Sequence, residues 1–185
     1  MMKRAGYFFI LLMIAVNFGC QKEAIEANFE ETESNSIYDY LIQHKDKFSS
    51  FISILEKGNL DKTLRAYNPF GTGYTLFAPD NIAINQFISQ SSQFSSLEEL
   101  INNQEYVDAF TRYHVVNSEI STNEFPFGAF PEPTLSGDYL TVSFFIETDS
   151  SYYKINNQAV VVESNIELSN GMIHQIGSAL IPVTQ

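Results

Sequence analysis

The sequence has a single cysteine, Cys20, among its 185 residues. One thiol cannot form a disulfide bond within the chain, so packing and hydrogen bonds have to hold the fold together. Exported proteins are free to use disulfide bonds, and a lone cysteine in such a protein needs another explanation. Lipid attachment, a free thiol and a bridge to a second molecule are the alternatives.

Basic residues are also scarce, because 10 Lys and Arg stand against 22 Asp and Glu, which gives a formal net charge of −12. Proteins bind nucleic acids and anionic lipid head groups largely through lysine and arginine, which neutralise phosphate. A surface this acidic repels both kinds of polyanion. The composition therefore argues against DNA or RNA as a partner.

The motifs of common catalytic sites are missing. Three histidines lie about 60 to 70 residues apart and lack metal-ligand spacing: His44, His114 and His174. Neither a glycine-rich phosphate loop nor a G-x-S-x-G nucleophile elbow occurs. We therefore predict no metal, no cofactor and no enzymatic activity. One enzymatic alternative stays open, because two distant carboxylates brought together by folding would suit a polysaccharide hydrolase.

The longest apolar run, Tyr7–Val16, is too short for a membrane-spanning helix, which needs about 20 residues. Lys3 and Arg4 precede this run, and Gly19 and Cys20 follow it. Positive charge, a short apolar stretch and a small residue, in that order, are typical of a secretory signal peptide, which we predict over residues 1–19. A buried core helix is the alternative, and the acidic tract that follows disfavours it.

The end of this segment resembles a bacterial lipobox, in which a small residue precedes an acylated cysteine. Gly19 and Cys20 match, whereas Asn17 departs from the apolar residue usual at its place. The resemblance implies a lipid on Cys20 after cleavage, and several acyl chains make a stable anchor because each buried methylene adds about 0.8 kcal/mol. We therefore expect attachment to the outer membrane, facing either the cell surface or the periplasm.

Residues 20–35 form the predicted linker, in which like charges extend the chain. Its acidic residues are Glu23, Glu26, Glu30, Glu31 and Glu33. The simplest interpretation is a solvated spacer between lipid and domain. Alternatively, Gln21–Glu23 resembles the acidic signals that send some lipoproteins to the outer face of Gram-negative bacteria.

From Ser36 onward the first half of the chain predicts helices. Helical spacing of apolar residues is seen at Ile37, Tyr40, Leu41 and His44, then at Phe48, Phe51, Ile52 and Leu55, and later at Val107 and Phe110. Gly58 is placed to end a helix, Asp80 is placed to begin one, and Ser96 with Glu99 has capping-box spacing. A buried strand is predicted at Tyr74–Ala78.

The second half predicts strands. Alternation of apolar residues over Leu140–Glu147 predicts a half-buried strand with Leu140, Val142, Phe144 and Ile146 on its inner face. Asn156-Asn157 marks a hairpin turn, and Asn170-Gly171 marks another before a strand at Met172–Ile176. Helices first and antiparallel strands later predict one α+β domain over residues 36–185.

Two segments resemble the signatures of the fasciclin domain family. The first runs from Tyr74 to Ala83, and the second runs from Ser169 to Ile176 and ends in Leu180-Ile181-Pro182. The signature residues are Phe77, Pro79, Asn81, Asn170, Gly171, His174 and Pro182. The resemblance implies a wedge of β-sheet flanked by helices, with the two signatures as neighbouring central strands, and a role in cell adhesion.

Some of these positions invite a closer interpretation. Ile82 and Gly177 stand where the family commonly has acidic residues, which questions local hydrogen bonds of the framework. His174 shares a strand face with Met172 and Ile176, so a hydrogen-bonded core histidine is favoured over a ligand.

Two groups of residues are candidates for binding a partner. Tyr113-His114 matches a segment that the resemblance implicates in receptor binding, although both side chains also suit docking of a helix onto the sheet. Because neighbouring residues point to different sides, we expect at most one of them to be fully buried. Phe125, Phe127 and Phe130 lie in a loop broken by prolines, and their rings either face a partner or fold back onto the sheet.

The sequence therefore predicts a non-catalytic envelope lipoprotein that binds a protein or glycan partner, in one version as an accessory of an outer-membrane uptake complex. The polysaccharide hydrolase and a purely structural envelope spacer are the alternatives.

Overall fold

A computed structural model describes residues 35–182 of the protein. The predicted signal peptide, the lipid site at Cys20 and all of the acidic linker except Asn35 lie outside the described residues. Val183 to Gln185 lie outside them as well.

The first half of the described chain is mainly helical, as predicted. Its helices are α1 (Ile37–Gln43), α2 (Lys45–Lys57), α3 (Asn81–Gln90), α4 (Leu97–Asn102) and α5 (Gln104–Tyr113). Ser36, Asp80 and Ser96 cap α1, α3 and α4, because each side-chain oxygen accepts a backbone N–H of the first turn. Gly58 ends α2, as its position predicts.

One predicted cap differs in detail. Ser96 accepts the Glu99 N–H at 3.1 Å, which is one half of a capping box. The Glu99 carboxylate turns instead to Ser95, whose N–H and hydroxyl both donate to it at 2.8 Å. The Glu99 carboxylate therefore bonds one residue earlier in the chain than the capping-box spacing predicts.

The strands form one seven-stranded sheet in the order β2-β1-β7-β6-β5-β4-β3. They are β1 (Tyr74–Pro79), β2 (Val115–Val116), β3 (Gly128–Ala129), β4 (Thr141–Ile146), β5 (Ser151–Ile155), β6 (Ala159–Leu168) and β7 (Gly171–Ile176). β1 and β7 pair in parallel, and the other neighbours pair antiparallel. The two signature segments are therefore neighbouring strands.

The sheet curls at β6, which changes partner along its length. Ala159 and Val160 pair with β5, whereas the residues from Val161 onward pair with β7. Two register shifts interrupt the ladder between Val161 and Ile166. Such irregularities bend a strand and increase its twist.

Two clusters of buried side chains make up the core. The larger cluster joins the helices to β1 and β7 through Leu76, Ala78 and Ile173. The smaller cluster includes Phe77 and Ile176 from the same two strands. Successive residues of a strand point to opposite faces, so β1 and β7 contribute to both clusters.

The predicted burial of β4 is only half right. Leu140 and Val142 are buried, but Phe144 is 43% exposed and Ile146 is 78% exposed. The neighbouring strand β3 pairs with β4 only through Gly128↔Val142 and Ala129↔Thr141. Beyond Val142, β3 no longer pairs with β4 among residues 35–182, and the side chains of β4 from Phe144 onward are exposed.

These elements confirm the α+β class, with helices concentrated before the antiparallel strands. Over residues 35–182, none of the helices has the length and apolar character needed to span a bilayer.

Candidate functional site

Asn170 joins three distant parts of the fold through its buried side chain. Its Oδ1 accepts the Ile37 N–H at 2.8 Å, at the start of α1. Its Nδ2 donates to the carbonyls of Leu64 at 2.7 Å and Ala66 at 2.9 Å. This signature residue therefore serves the framework.

Gly171 is required by the close approach of the two central strands. Its φ is +149°, and a Cβ atom built there would lie 2.0 Å from the Tyr74 carbonyl oxygen. A larger residue would push β1 and β7 apart at the start of their parallel ladder.

The residues of the first signature also have structural roles. The Asn81 amide donates to the Asp46 carbonyl and accepts the Ser50 N–H, both at 2.9 Å. Those two backbone groups are four residues apart in α2, so Asn81 fixes α3 to that helix. Phe77 and Pro79 are buried. Ile82, expected in the framework, is instead exposed, because α3 turns this side chain to solvent.

His174 is buried and hydrogen-bonded at both ring nitrogens, as expected of a core histidine. Nε2 donates to the Ile120 carbonyl at 2.9 Å, and Nδ1 accepts the Asn165 N–H at 3.3 Å. Burial lowers its pKa below the usual value. The neutral ring lies against Phe77, with centroids 5.5 Å apart.

Tyr113 and His114 are both buried, so the expectation that at most one would be buried is wrong. Tyr113 enters the smaller cluster, where its hydroxyl accepts the Asn156 amide at 2.8 Å. In His114, Nδ1 donates to the Phe110 carbonyl at 2.7 Å and Nε2 accepts the Leu180 N–H at 3.0 Å. Both sides of the chain face the protein interior at this point, because α5 ends here and the chain enters the sheet.

Burial also lowers the pKa of His114 to about 4. Neither side chain of the pair presents a surface to a partner in this structure. Their binding of a partner stays a prediction, and the contacts favour the alternative role of docking α5 onto the sheet.

The proline-broken loop divides its rings between interior and solvent. Phe130 is buried, and the half-buried Phe125 packs edge-on against Phe130 at 5.2 Å and Tyr153 at 5.1 Å. Phe127 is 99% exposed. Of the three predicted candidates, Phe127 alone presents its whole side chain to solvent.

The β4–β5 hairpin carries a second exposed apolar surface. Ser143–Ile146 and Ser151–Tyr153 pair only with each other among the described residues, because β3 and β6 reach only the base of the hairpin. Phe144 pairs with Tyr153 on one face and Phe145 with Tyr152 on the other, with ring centroids 5.0 and 5.5 Å apart.

We call residues Phe127, Phe144, Phe145 and Ile146 the aromatic surface. The ammonium group of Lys154 lies 5.1 Å from the Phe145 centroid, the distance of a cation–π contact. The sequence did contain a signal for this surface. Three consecutive apolar residues, 144–146, occupy both faces of a strand, and such a run is unusual unless a partner covers it.

The described residues offer little to metal or acid–base chemistry. They contain no group of three His, Cys, Asp or Glu side chains arranged to hold a metal ion. Hydrogen bonds from Ser95 and Ser121 lower the pKa values of Glu99 and Glu124, the opposite of the raised pKa that a general acid needs.

Comparisons with known proteins agree with this geometry. The family model of the Fasciclin domain matches residues 46–182. Protein sll1483 of Synechocystis sp. is 28% identical over 137 residues, which cover 74% of this chain and 68% of that protein. Rat Stabilin-2 is 31% identical over 108 residues, which cover 58% of this chain and 7% of that protein. Mouse Stabilin-2 is 26% identical to this chain, and the match covers 5% of that protein.

A solved structure shares the fold. It is a FAS1 domain pair from the insect cell adhesion molecule fasciclin I, with a TM-score of 0.55 and 16% sequence identity. The similarity covers 74% of this chain and 45% of that one. The predicted arrangement, a sheet with helices and two neighbouring signature strands, is confirmed.

Proposed function

The chain belongs to the fasciclin domain family, and from this we propose that it is a non-catalytic adhesion module that binds a protein partner through its aromatic surface. Lipid on Cys20 would hold the module at the outer membrane, and the acidic linker would separate it from the bilayer. A subunit of an uptake complex is one such partner.

The exposure of the aromatic surface is the observation that carries the proposal. Phe127, Phe144 and Ile146 leave large apolar side chains in water at the β3–β4 end of the sheet, and exposed apolar patches on a protein surface often mark interaction sites. Aromatic side chains are enriched at protein interfaces, where burying them supplies much of the binding free energy.

The strand edges of the hairpin supply a second kind of contact. Ser143–Ile146 of β4 lacks a partner on its outer edge among the described residues, because β3 ends at its base. An extended peptide is able to pair with such an edge through backbone hydrogen bonds. A protein partner uses both features, whereas a sugar uses only the rings.

The lipid anchor rests on the sequence alone. Positive charge, a short apolar run and Gly19-Cys20 support processing and acylation. We expect Cys20→Ser to abolish labelling by a fatty-acid analogue in a bacterial host and to move the protein from the membrane fraction to the soluble fraction. Unchanged labelling and fractionation would contradict the anchor and leave the adhesion proposal standing.

Binding is tested with a triple variant, Phe127→Ser with Phe144→Ser and Ile146→Ser. The matched control is Ile82→Ser, since Ile82 is about as exposed as Ile146 but lies on α3. Cross-linking in the membranes of the native host, followed by mass spectrometry, should find a protein with the wild type and the control that the triple variant loses. A partner retained by the triple variant would refute the aromatic surface.

No observation favours the hydrolase over adhesion. Three clefts of the described residues have Glu99 as their single carboxylate, so they lack the pair that glycoside hydrolysis needs.

A further inference from the structure

A cleft of about 290 Å³ lies at the C-terminal end of α3. Its walls come from the end of α3, the turn that follows, α5 and the chain after β7; the lining residues are Phe87, Gln90, Ser92, Gln93, Tyr106 and Pro182, with Ser91 and Ile181. Two neighbouring clefts share part of this lining, one through Phe87 and Gln90 and the other through Ser92 and Gln93. We call the three together the α3 groove.

The α3 groove is almost without charge, although the chain carries a net charge of −12. Glu99 is the one charged side chain along it, and the Ser95 N–H and hydroxyl both donate to its Oε2. The C-terminal end of a helix carries partial negative charge, which disfavours anions. The lining therefore offers uncharged polar groups and a single carboxylate, which suits a neutral ligand better than an anion.

Tyr106 supplies an unused hydrogen-bonding group in this groove. The side chain is only 8% exposed, and its hydroxyl has no hydrogen-bond partner among residues 35–182. No fully buried side-chain oxygen or nitrogen of the described residues lacks a partner. The hydroxyl must therefore be the part of Tyr106 that reaches the cleft.

The Tyr106 hydroxyl stays protonated, because burial raises its pKa to about 12. It is both a donor and an acceptor, like the hydroxyl of Ser92. The amides of Gln90 and Gln93 offer donors and acceptors too, and none of these side chains bonds to another described residue. Uncharged groups of this kind match the hydroxyl groups of a sugar.

Aromatic rings pack together beside these groups and hold the Tyr106 hydroxyl in place. The rings of Phe87 and Tyr106 lie 6.3 Å apart at an interplanar angle of 13°, and Phe94 packs edge-on against Tyr106 at 4.8 Å. Packing of this kind fixes the rings before a ligand arrives, which reduces the entropy lost on binding. Small-ligand sites commonly combine aromatic side chains with a few convergent polar groups, and this groove has both.

We propose that the α3 groove binds a neutral oligosaccharide, with the Tyr106 hydroxyl and the Gln90 and Gln93 amides bonding to sugar hydroxyls. The site is formed by elements other than the aromatic surface, so it is independent of the proposed protein partner.

The test uses the folded wild type and two single variants. Tyr106→Phe removes the hydroxyl and keeps the ring, so its melting temperature should not change, because no bond within the protein is lost. Tyr67→Phe is the matched control, since Tyr67 is exposed and does not line the groove. Soluble glucan, mannan, galactan and xylan oligosaccharides are the neutral probes, and oligogalacturonate is the anionic probe.

At least one neutral probe should bind saturably and shift the side-chain amide NMR signals of Gln90 and Gln93. Tyr106→Phe should weaken this binding roughly three- to tenfold, the worth of one neutral hydrogen bond, while Tyr67→Phe and the triple variant of the aromatic surface bind as the wild type does. Failure of all four neutral probes, equal binding of oligogalacturonate, or unchanged affinity of Tyr106→Phe would overturn the proposal.

Discussion

Buried polar side chains connect segments of this chain that are far apart in sequence. His114 links α5 to the segment at Leu180, His174 links Ile120 to Asn165, and Asn170 links α1 to the segment after α2. Each of these side chains is buried with its hydrogen-bonding groups satisfied. Removing one leaves its buried partners unpaired, at a cost of about 1–3 kcal/mol for each group.

His114 makes the stability of the fold depend on pH. An unfolded histidine binds a proton near pH 6.5, whereas burial lowers the pKa in the folded state to about 4. The unfolded state therefore holds more protons between these values, so stability is complete above pH 6.5 and falls as the pH drops towards 4. The loss from this group amounts to about 3 kcal/mol, and burial of His174 acts in the same direction.

Two measurements check this expectation. Urea unfolding of the wild type should give a lower free energy at pH 5 than at pH 7, and His114→Gln should show a weaker pH dependence. NMR titration of the His114 ring in the folded protein gives the pKa directly. A midpoint near 6.5 would show that the ring is not held neutral.

Residue-level prediction from sequence worked where the signal is local. Asp80 caps α3 because a carboxylate reaches the first turn of its own helix, and Gly171 follows a turn that its neighbour Asn170 marks. The bonds of Asn170 could not be foreseen, since its partners Leu64 and Ile37 lie 106 and 133 residues away. The same is true of Tyr106, whose free hydroxyl depends on packing between helices.

At the level of elements, the turn between β5 and β6 contains two residues with the same backbone strain but different side-chain hydrogen bonds. Asn156 and Asn157 have nearly the same left-handed backbone, with φ values of 52° and 53°. The Asn156 side chain accepts the Thr141 N–H and donates to the Tyr113 hydroxyl, at 2.7 and 2.8 Å. No hydrogen bond is formed by the Asn157 side chain to another described residue.

Glycine at these two positions should therefore have opposite effects. Asn157→Gly relieves left-handed strain and should leave the free energy of unfolding unchanged or raise it by about 0.5 kcal/mol. Asn156→Gly relieves the same strain but loses the bonds to Thr141 and Tyr113, and should lower it by about 2 kcal/mol. Urea unfolding of both variants measures the difference, and equal effects would show that the Asn156 bonds contribute nothing.

The hairpin β4–β5 shows where periodicity fails for an element. Alternation predicted that Phe144 and Ile146 face the core, yet both are exposed, because β4 extends beyond the part that pairs with β3. Pro126 lies just before β3 and lacks the N–H needed to extend pairing along β4. A period of two identifies a strand and its faces, but the length of the neighbouring strand decides which residues are buried.

Over the whole molecule, both core clusters depend on the same two strands. β1 contributes Leu76 to the larger cluster and Phe77 to the smaller one, and β7 contributes Ile173 and Ile176 in the same way. Neither cluster survives loss of the β1–β7 ladder, so we expect a single unfolding transition.

Hydrogen exchange followed by mass spectrometry checks this expectation. Amides of α2 and of β5 should lose protection at the same urea concentration. Protection that persists in α2 after β5 has exchanged would show two separately folding halves.

The parallel ladder at the centre of the sheet also governs when the molecule is able to form. A ribosome makes β1 nearly a hundred residues before β7, and until β7 is complete β1 has only the two-residue β2 beside it. Every nascent chain that stops short of β7 thus lacks the middle of its sheet. The order of the strands delays closure of the sheet until β7 has been made.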